Sequence, residues 1–141
     1  MYHWLDPAAP IYFPALEYAS SEGILALGGD LSVERLLLAY QYGIFPWYNE
    51  QEDEPIIWWY PDPRFVLPPQ EAYCSKSMRK ILDRQVFEIR MDTAFEQVID
   101  ACALTPRAEE STSSWLNADM RAAYLRLRSE ERRVGKECRS R

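Results

Sequence analysis

The sequence predicts a mixed α/β protein, and three stretches carry that prediction. Residues 30–43 have the cap, the apolar spacing and the terminal glycine of a short helix. Residues 56–59 form a short apolar run that is typical of a strand. Residues 87–127 begin with alternating apolar and charged residues and continue with two helical periods. The chain of 141 residues is long enough for one ordinary domain, or for one small domain and part of another.

The first helix is predicted from its two ends and from one apolar face. Asp30 and Ser32 are both good N-cap residues, and Glu34 suits the positive end of the helix dipole. Gly43 ends the helix, because glycine enters the left-handed conformation without strain. The apolar residues at helical spacing are Val33, Leu36, Leu37 and Tyr40. We therefore expect Tyr40 to lie in the core.

Aromatic residues and prolines are dense between this helix and the following strand. Pro46 restricts the backbone beside Trp47, and the acidic residues 50–54 then form a predicted solvated loop. Two interpretations of Trp47 are open at this point, core packing and stacking on a flat ligand. Large aromatic residues often dominate small cores. The aromatic residues that we expect in the core are therefore Trp58, Trp59 and Phe65.

A short helix predicted to begin at Ser75 carries most of its positive charge on one side. Its basic residues are Lys76, Arg79, Lys80 and Arg84, whereas Met78, Ile81 and Leu82 occupy the other side. The residues alone leave two interpretations open. A solvated helix face is the more common origin of such a cluster, and a phosphate-binding edge is the alternative. The net charge of −6 argues against nonspecific affinity for nucleic acid, but the distribution of charge matters more than its sum.

The segment after the basic helix predicts a strand followed by two helices. Phe87, Ile89 and Met91 alternate with charged residues, as in a half-buried strand. Thr93 and Glu96 form a capping box that opens a helix, which Thr105-Pro106 closes. The inner face of this helix comprises Phe95, Val98, Ile99 and Cys102.

A polar loop, residues 108–114, separates the two helices and leads into Trp115, a context more typical of a loop than of a core. Asn117 then caps the second helix. Its inner face comprises Met120, Ala123, Tyr124 and Leu127. Residues 128–141 contain one aliphatic residue, Val134, and many charges, so we predict a basic, disordered tail.

The composition excludes several kinds of site. His3 is the only histidine, which excludes multi-histidine metal sites and His-based catalytic triads, and no cofactor motif is present. The three cysteines, Cys74, Cys102 and Cys138, are far apart and lack metal-ligand spacing. No stretch approaches the roughly 20 apolar residues of a membrane helix. We therefore expect a reduced, cytoplasmic protein without a metal, a cofactor or a membrane partner.

One long motif resembles a known family. The run GGDLSVERLLLAYQYGIFPW at residues 28–47, followed by WWYPDPR at residues 58–64, is similar to the N-terminal part of leucyl/phenylalanyl-tRNA–protein transferases. The resemblance continues through SKSMRK at residues 75–80, FEQVI at residues 95–99 and SWL at residues 114–116. It covers most of residues 10–127.

The resemblance implies a particular domain organisation. Residues 1–62 would form a small N-terminal α/β domain, and residues 63–127 would begin a GNAT-like acyltransferase domain that is incomplete here. In the family, a β-hairpin pairing with the first strand follows, but the tail 128–141 looks foreign to the family and supplies no such hairpin. The carboxylates proposed for catalysis lie in the part that is missing, so the catalytic residues are unknown on this sequence.

The resemblance also implies a function. Such an enzyme moves Leu, Phe or Met from aminoacyl-tRNA to the N-terminal Arg or Lys of a protein and so marks it for degradation. Trp47 and Trp115 match the family residues that contact the terminal aminoacyl-adenosine, and the basic helix matches the region that contacts the tRNA acceptor stem. We expect a monomer that is truncated and inactive alone. The alternative is a non-enzymatic, aromatic-rich module that binds single-stranded RNA or a Pro-rich peptide.

Overall fold

The computed structural model describes residues 2–49, 54–104 and 116–139, with the backbone alone at 131–139. The chain divides into two compact units. The first, which we call the sheet unit, contains the residues up to Asp62 and those from Glu96 onward. The second, which we call the linking unit, is Pro63–Phe95. Within the described residues, no helix is both long and apolar enough to cross a membrane.

A four-stranded sheet organises the sheet unit. Its strands are β1 (His3–Leu5), β2 (Ile24–Gly28), β3 (Phe45–Pro46) and β4 (Ile57–Trp59), in the spatial order β1-β2-β4-β3. β1 runs parallel to β2, whereas β4 is antiparallel to both β2 and β3. The strand predicted at residues 56–59 is therefore confirmed as β4.

Trp58 on β4 lies at the centre of the core. Its side chain is completely buried, and its indole Nε1–H donates a hydrogen bond of 2.9 Å to the carbonyl oxygen of Gly28. The ring of Phe13 meets it edge-on, with 4.9 Å between the ring centroids. The prediction that Trp58 belongs to the core is confirmed. The large side chains buried with it include Leu5, Leu25, Leu36, Ile44 and Met120.

Helix α1 (Val33–Gln41) begins and ends as predicted. The Ser32 hydroxyl accepts a hydrogen bond of 3.4 Å from the Arg35 amide, and Gly43 follows the helix with φ of 73°. Its buried face, however, comprises Arg35, Leu36 and Ala39. Tyr40 is 41% exposed, so the expectation of a core position was wrong.

An ion pair explains why this helix is turned from its predicted orientation. Arg35 is only 1% exposed, and its Nη2 lies 3.3 Å from the Asp30 carboxylate. A Cβ on Gly29 would come within 3.2 Å of Arg35 Nε, so the missing side chain makes room for the guanidinium group. A buried charged side chain requires an oppositely charged partner. The spacing of apolar residues in the sequence does not reveal such an ion pair.

Two further helices complete the sheet unit. Helix α3 (Phe95–Leu104) begins where it was predicted, although Ile99 is its only residue described as buried. Helix α4 (Ala118–Arg139) packs against α1. The Asn117 side chain caps α4 by accepting a hydrogen bond of 2.8 Å from the Met120 amide. As predicted, Met120, Ala123 and Leu127 lie on its inner face.

The end of α4 departs from the sequence-based prediction. The helix continues to Arg139, whereas residues 128–141 were predicted to be disordered. Glu, Arg and Lys dominate this segment and are all good helix formers, so low apolar content did not exclude a helix. The predicted domain boundaries themselves remain predictions.

The linking unit contains helix α2 (Lys76–Asp83), and two of its predicted features are wrong. Phe65 is fully exposed instead of belonging to the core. The strand predicted from Phe87 to Met91 is not formed, and its apolar side chains are exposed. A strand needs a neighbour for its backbone groups, and the described residues provide none at this position.

Candidate functional site

Trp47 combines an exposed ring with a fixed backbone. It follows β3, and its indole is 53% exposed. Its backbone N–H donates a hydrogen bond of 2.9 Å to the carbonyl oxygen of Ile57. Its own carbonyl oxygen accepts a hydrogen bond of 2.7 Å from the Trp59 indole. The Trp47 ring is therefore exposed to solvent, whereas hydrogen bonds at its N–H and at its carbonyl oxygen hold its backbone beside β4.

The Trp59 ring supports the ring of Trp47. Their centroids are 5.9 Å apart and their planes are inclined by 44°. A tilted pair at this distance contributes about 0.5–1.5 kcal/mol beyond simple burial. Trp59 itself is half-buried rather than fully in the core, so that expectation is met only in part. Trp47 is thus a supported ring with a large exposed surface, which suits stacking on another flat group.

A cavity of about 440 Å³ lies beside this position in the chain. It is lined by Leu31, Tyr48, Glu54, Ile56, Asp119, Ala122 and Arg126. The Glu54 carboxylate accepts a hydrogen bond of 3.1 Å from the Asn49 amide, which fixes the chain just after Trp47. The volume lies within the range of small-molecule sites, and both acidic and basic groups line it. This cavity could not be predicted from the sequence, because Leu31 and Tyr48 on one wall are far along the chain from Asp119 and Arg126 on the other.

Two tyrosine hydroxyls join α1 to α4. Tyr40 and Tyr124 share a hydrogen bond, and their ring centroids are 6.4 Å apart. Burial raises the pKa of Tyr40, and its bond to Tyr124 raises it further. Burial also raises the pKa of Tyr124, although its hydrogen bond acts in the opposite direction. Both hydroxyls therefore remain protonated at neutral pH and act as a neutral link between the helices.

Trp115, the second predicted stacking residue, lies outside the described residues. The next described residues are Leu116, which is buried, and Asn117, which caps α4. The pairing of Trp47 with Trp115 at one site stays a prediction.

The four predicted phosphate-binding residues lie on or directly after α2, in the linking unit. The Ser75 hydroxyl caps α2 by accepting a hydrogen bond of 3.2 Å from the Met78 amide, as expected. Lys76, Arg79, Lys80 and Arg84 are all exposed. None of the four forms an ion pair with another described residue. Their charges are thus available to an anionic partner, and their role in binding stays a prediction.

The Asp30 carboxylate is structural. Partial burial acts to raise the pKa of Asp30, but hydrogen bonds from Ser32 and Arg35 lower it overall. An acid held in this ionised state is a poor general base at neutral pH. Across residues 2–49, 54–104 and 116–130, no three His, Cys, Asp or Glu side chains cluster as metal ligands would.

Comparison with known proteins gives these features a family context. A family model described as the leucyl/phenylalanyl-tRNA protein transferase N-terminal domain matches residues 29–62. A second, described as leucyl/phenylalanyl-tRNA protein transferase, matches residues 66–140. The second match thus includes most of the tail that was predicted to be foreign to the family.

Curated relatives with the name leucyl/phenylalanyl-tRNA–protein transferase agree with the family models. The protein of Syntrophotalea carbinolica is 51% identical over 114 residues, which are 81% of this chain and 48% of the relative. That of Myxococcus xanthus is 48% identical over 87% of this chain and 51% of its own. That of Nitrosomonas eutropha is 53% identical over 82% of this chain and 48% of its own. The chain spans about half the length of these relatives, and it belongs to the leucyl/phenylalanyl-tRNA–protein transferase family.

Proposed function

We propose that this chain holds the charged end of an aminoacyl-tRNA for transfer of its amino acid to a protein. The observation that carries the proposal is the half-exposed indole of Trp47 on a backbone hydrogen-bonded to β4. A ring that only packed in the core would be buried. Stacking of one nucleic-acid base on an aromatic side chain is worth about 1–3 kcal/mol and tolerates any base sequence. Trp47 would stack on the terminal adenosine, with Trp115 as the proposed second contact.

The basic residues of α2 would contribute affinity rather than recognition of the amino acid. Exposed Lys and Arg side chains without protein partners bind phosphates and release the counterions condensed on the nucleic acid. Lys76, Arg79, Lys80 and Arg84 are exposed and form no ion pair with another described residue. We propose that they bind the phosphates of the tRNA acceptor stem.

The complete reaction would join the carboxyl carbon of Leu, Phe or Met to the α-amine of an N-terminal Arg or Lys. The ester bond between that carbon and the terminal ribose of the tRNA would break, and the ribose oxygen would leave as a hydroxyl after taking up the proton that the amine loses. The amine must lose a proton, and its ordinary pKa is about 7.7–8.0. The tetrahedral intermediate also needs hydrogen-bond donors for its oxyanion. The part of the reaction that we propose for the residues of this chain is binding of the charged tRNA end. The cytoplasm and a monomeric state are part of the same proposal.

Binding of a stable aminoacyl-adenosine tests the proposal. The ligand is 3′-(leucylamino)-3′-deoxyadenosine, in which an amide replaces the labile ester, and calorimetry with the purified chain measures its Kd. Replacement of Trp47 by Ala removes the stacking surface and should weaken binding about 5- to 150-fold, the equivalent of about 1–3 kcal/mol. The melting temperature should fall by only a few degrees, because the ring is half-exposed and its loss removes mainly the contact with Trp59.

Trp4→Ala is the matched control, since Trp4 is also an exposed indole on a strand of the same sheet. It should leave the Kd unchanged. An unchanged Kd in Trp47→Ala, or an equal loss in both variants, would contradict the proposed role of Trp47.

A further inference from the structure

The cavity of about 440 Å³ in the sheet unit has no role in the proposed function. Its volume is near the lower end of the range of small-molecule sites, so it suits a ligand smaller than a nucleotide. One wall comes from the loops and strands around β3 and β4, and the other comes from α4. The residues that line it are Leu31, Tyr48, Glu54, Ile56, Asp119, Ala122 and Arg126.

The cavity and the Trp47 ring lie on opposite sides of the chain. Ile44, Pro46 and Tyr48 are buried, whereas Trp47 between the last two is exposed. Alternate residues of an extended chain project from opposite faces. Because Tyr48 lines the cavity, a ligand bound there would not occupy the surface on which we propose that a base stacks.

One face of α4 supplies two opposite charges to the cavity. Asp119, Ala122 and Arg126 are three and four residues apart, so they share this face. Asp119 and Arg126 are both exposed, and neither forms an ion pair with another described residue. The Glu54 carboxylate, in contrast, already accepts a hydrogen bond from the Asn49 amide. The cavity wall therefore offers one available carboxylate and one available guanidinium group.

The surface between these two charges is apolar. Leu31 and Tyr48 are each only 9% exposed, and Ile56 and Ala122 also line the cavity. A purely apolar ligand would desolvate the two charges without pairing them, and a purely ionic ligand would leave the apolar surface uncovered. The complementary ligand has a cationic group, an anionic group and an apolar group between them.

The spacing of the two charges sets the length of the ligand. Asp119 and Arg126 are seven residues apart, which corresponds to roughly 10 Å along α4. A helical side chain leans toward the N-terminus of its helix, so the long Arg126 side chain shortens this span. The termini of an extended dipeptide are about 7 Å apart, at about 3.3–3.6 Å for each residue. A free amino acid carries both charges on one carbon and is too short.

We infer that this cavity is a binding site for a dipeptide with free termini and an apolar side chain. Asp119 accepts hydrogen bonds from the terminal ammonium group, and the Arg126 guanidinium group donates two to the terminal carboxylate. The apolar side chain of the dipeptide covers Leu31 and Tyr48. The site takes no part in the proposed binding of tRNA.

The experiment titrates the 141-residue chain with leucyl-alanine and follows the methyl and indole signals by NMR. We expect saturable shifts of the Ala122 and Ile56 methyl signals and no shift of the Trp47 indole. Arg126→Gln should weaken binding at least tenfold, because it removes a charge-assisted pair of hydrogen bonds. Free leucine should bind at least tenfold more weakly than the dipeptide, because it cannot reach both charges.

Leucyl-alanine amide tests the same contact from the ligand side. It lacks the terminal carboxylate, so it should bind the unsubstituted chain at least tenfold more weakly than leucyl-alanine, and Arg126→Gln should weaken it no further. Arg90→Gln is the matched control, since Arg90 is an exposed arginine that does not line the cavity. It should leave the Kd of leucyl-alanine unchanged.

Four results would overturn the inference. They are the absence of saturable binding, an unchanged Kd in Arg126→Gln, equal binding of the amide, and binding of free leucine as tight as that of the dipeptide. The 3′-(leucylamino)-3′-deoxyadenosine ligand should bind equally well in the presence of leucyl-alanine, and competition between the two would contradict a separate site. A failure of Trp47 to bind the nucleoside would leave the dipeptide result unaffected, so the two proposals fail independently.

Discussion

The sheet unit and the linking unit differ sharply in what they bury. The sheet unit places Trp58, Leu25 and Met120 in a core from which solvent is excluded. None of the residues Pro63–Phe95 of the linking unit is buried. Their sequences are not correspondingly different, because both contain aromatic and aliphatic residues in quantity. The difference shows that apolar content alone does not make a core, since the elements that would cover it must also be present.

The largest expected difference between the two units is in the unfolding free energy lost when an aromatic residue is replaced by alanine. Trp58→Ala removes the centre of the sheet unit and its hydrogen bond to Gly28, and should cost about 3–5 kcal/mol of unfolding free energy. Phe87→Ala should change it by less than about 0.5 kcal/mol, because the side chain is already exposed. Urea denaturation followed by circular dichroism measures both.

Trp58→Phe keeps the measurement possible if the alanine variant fails to fold. It retains most of the apolar surface while removing the indole donor, and should be destabilised less than Trp58→Ala. Equal costs for Trp58→Ala and Phe87→Ala would mean that the two units do not differ in the way described.

The second comparison concerns one ion pair from each unit. Arg35→Ala leaves the Asp30 carboxylate without its buried partner, and should cost about 2–3 kcal/mol, below the 3–5 kcal/mol of a pair buried on both sides. Arg90→Ala breaks the exposed pair with Glu88 and should have no measurable effect on unfolding. Thermal denaturation measures the stability of both variants. An Arg35→Ala protein as stable as the unsubstituted protein would contradict the stabilising role of the Arg35–Asp30 pair.

The third comparison concerns the charges of the linking unit. The salt dependence of tRNA binding should flatten by about 0.7–0.9 in the slope of log K against log salt for each phosphate contact removed. Arg79→Glu with Lys80→Glu should therefore reduce the slope. Arg90→Glu, outside the basic helix and engaged with Glu88, should alter it less. Filter binding over a range of salt concentrations measures the slopes. If the doubly substituted protein had the same slope as the unsubstituted protein, α2 would not belong to the tRNA site.

The smallest effect is expected at the tyrosine link between α1 and α4. Tyr40→Phe removes one hydroxyl and should cost about 0.5–1.5 kcal/mol at neutral pH. Because the folded-state pKa of each tyrosine is raised, stability is fully present below the ordinary value of about 10 and is lost as the pH rises above it. Unfolding at several pH values should show this alkaline loss, and the doubly substituted Tyr40→Phe, Tyr124→Phe protein should show less of it. An equal alkaline loss in that protein would assign the effect to other groups.

The features that could be predicted from the sequence depend on local interactions. The caps at Ser32, Ser75 and Asn117 identified the starts of three helices, because each involves a side chain and an amide only three residues away. The inner face of α4 followed from its spacing. The burial of Arg35 could not be predicted from spacing, because its ion pair reverses the usual preference of a charged residue for solvent.

The features that could not be predicted depend on distant partners. β1 forms only because β2 lies beside it, and the chain between them gives no sign of that pairing. Residues 87–91 have a strand pattern but no neighbour among the described residues, so the pattern alone misled. For Trp47, the sequence left packing and stacking equally open. In the structure the Trp47 ring is half-exposed, because hydrogen bonds to β4 fix its backbone and leave the indole outside the core. Stacking of this ring on a ligand stays a prediction.

The most direct test of the central claim is a titration that follows the tryptophan indoles by NMR with 3′-(leucylamino)-3′-deoxyadenosine. We predict that the Trp47 indole signal shifts upfield as an adenine ring stacks on it, whereas the buried indole of Trp58, bonded to the Gly28 carbonyl, stays in place. A Trp47 signal that remains unchanged at saturating ligand would contradict the account.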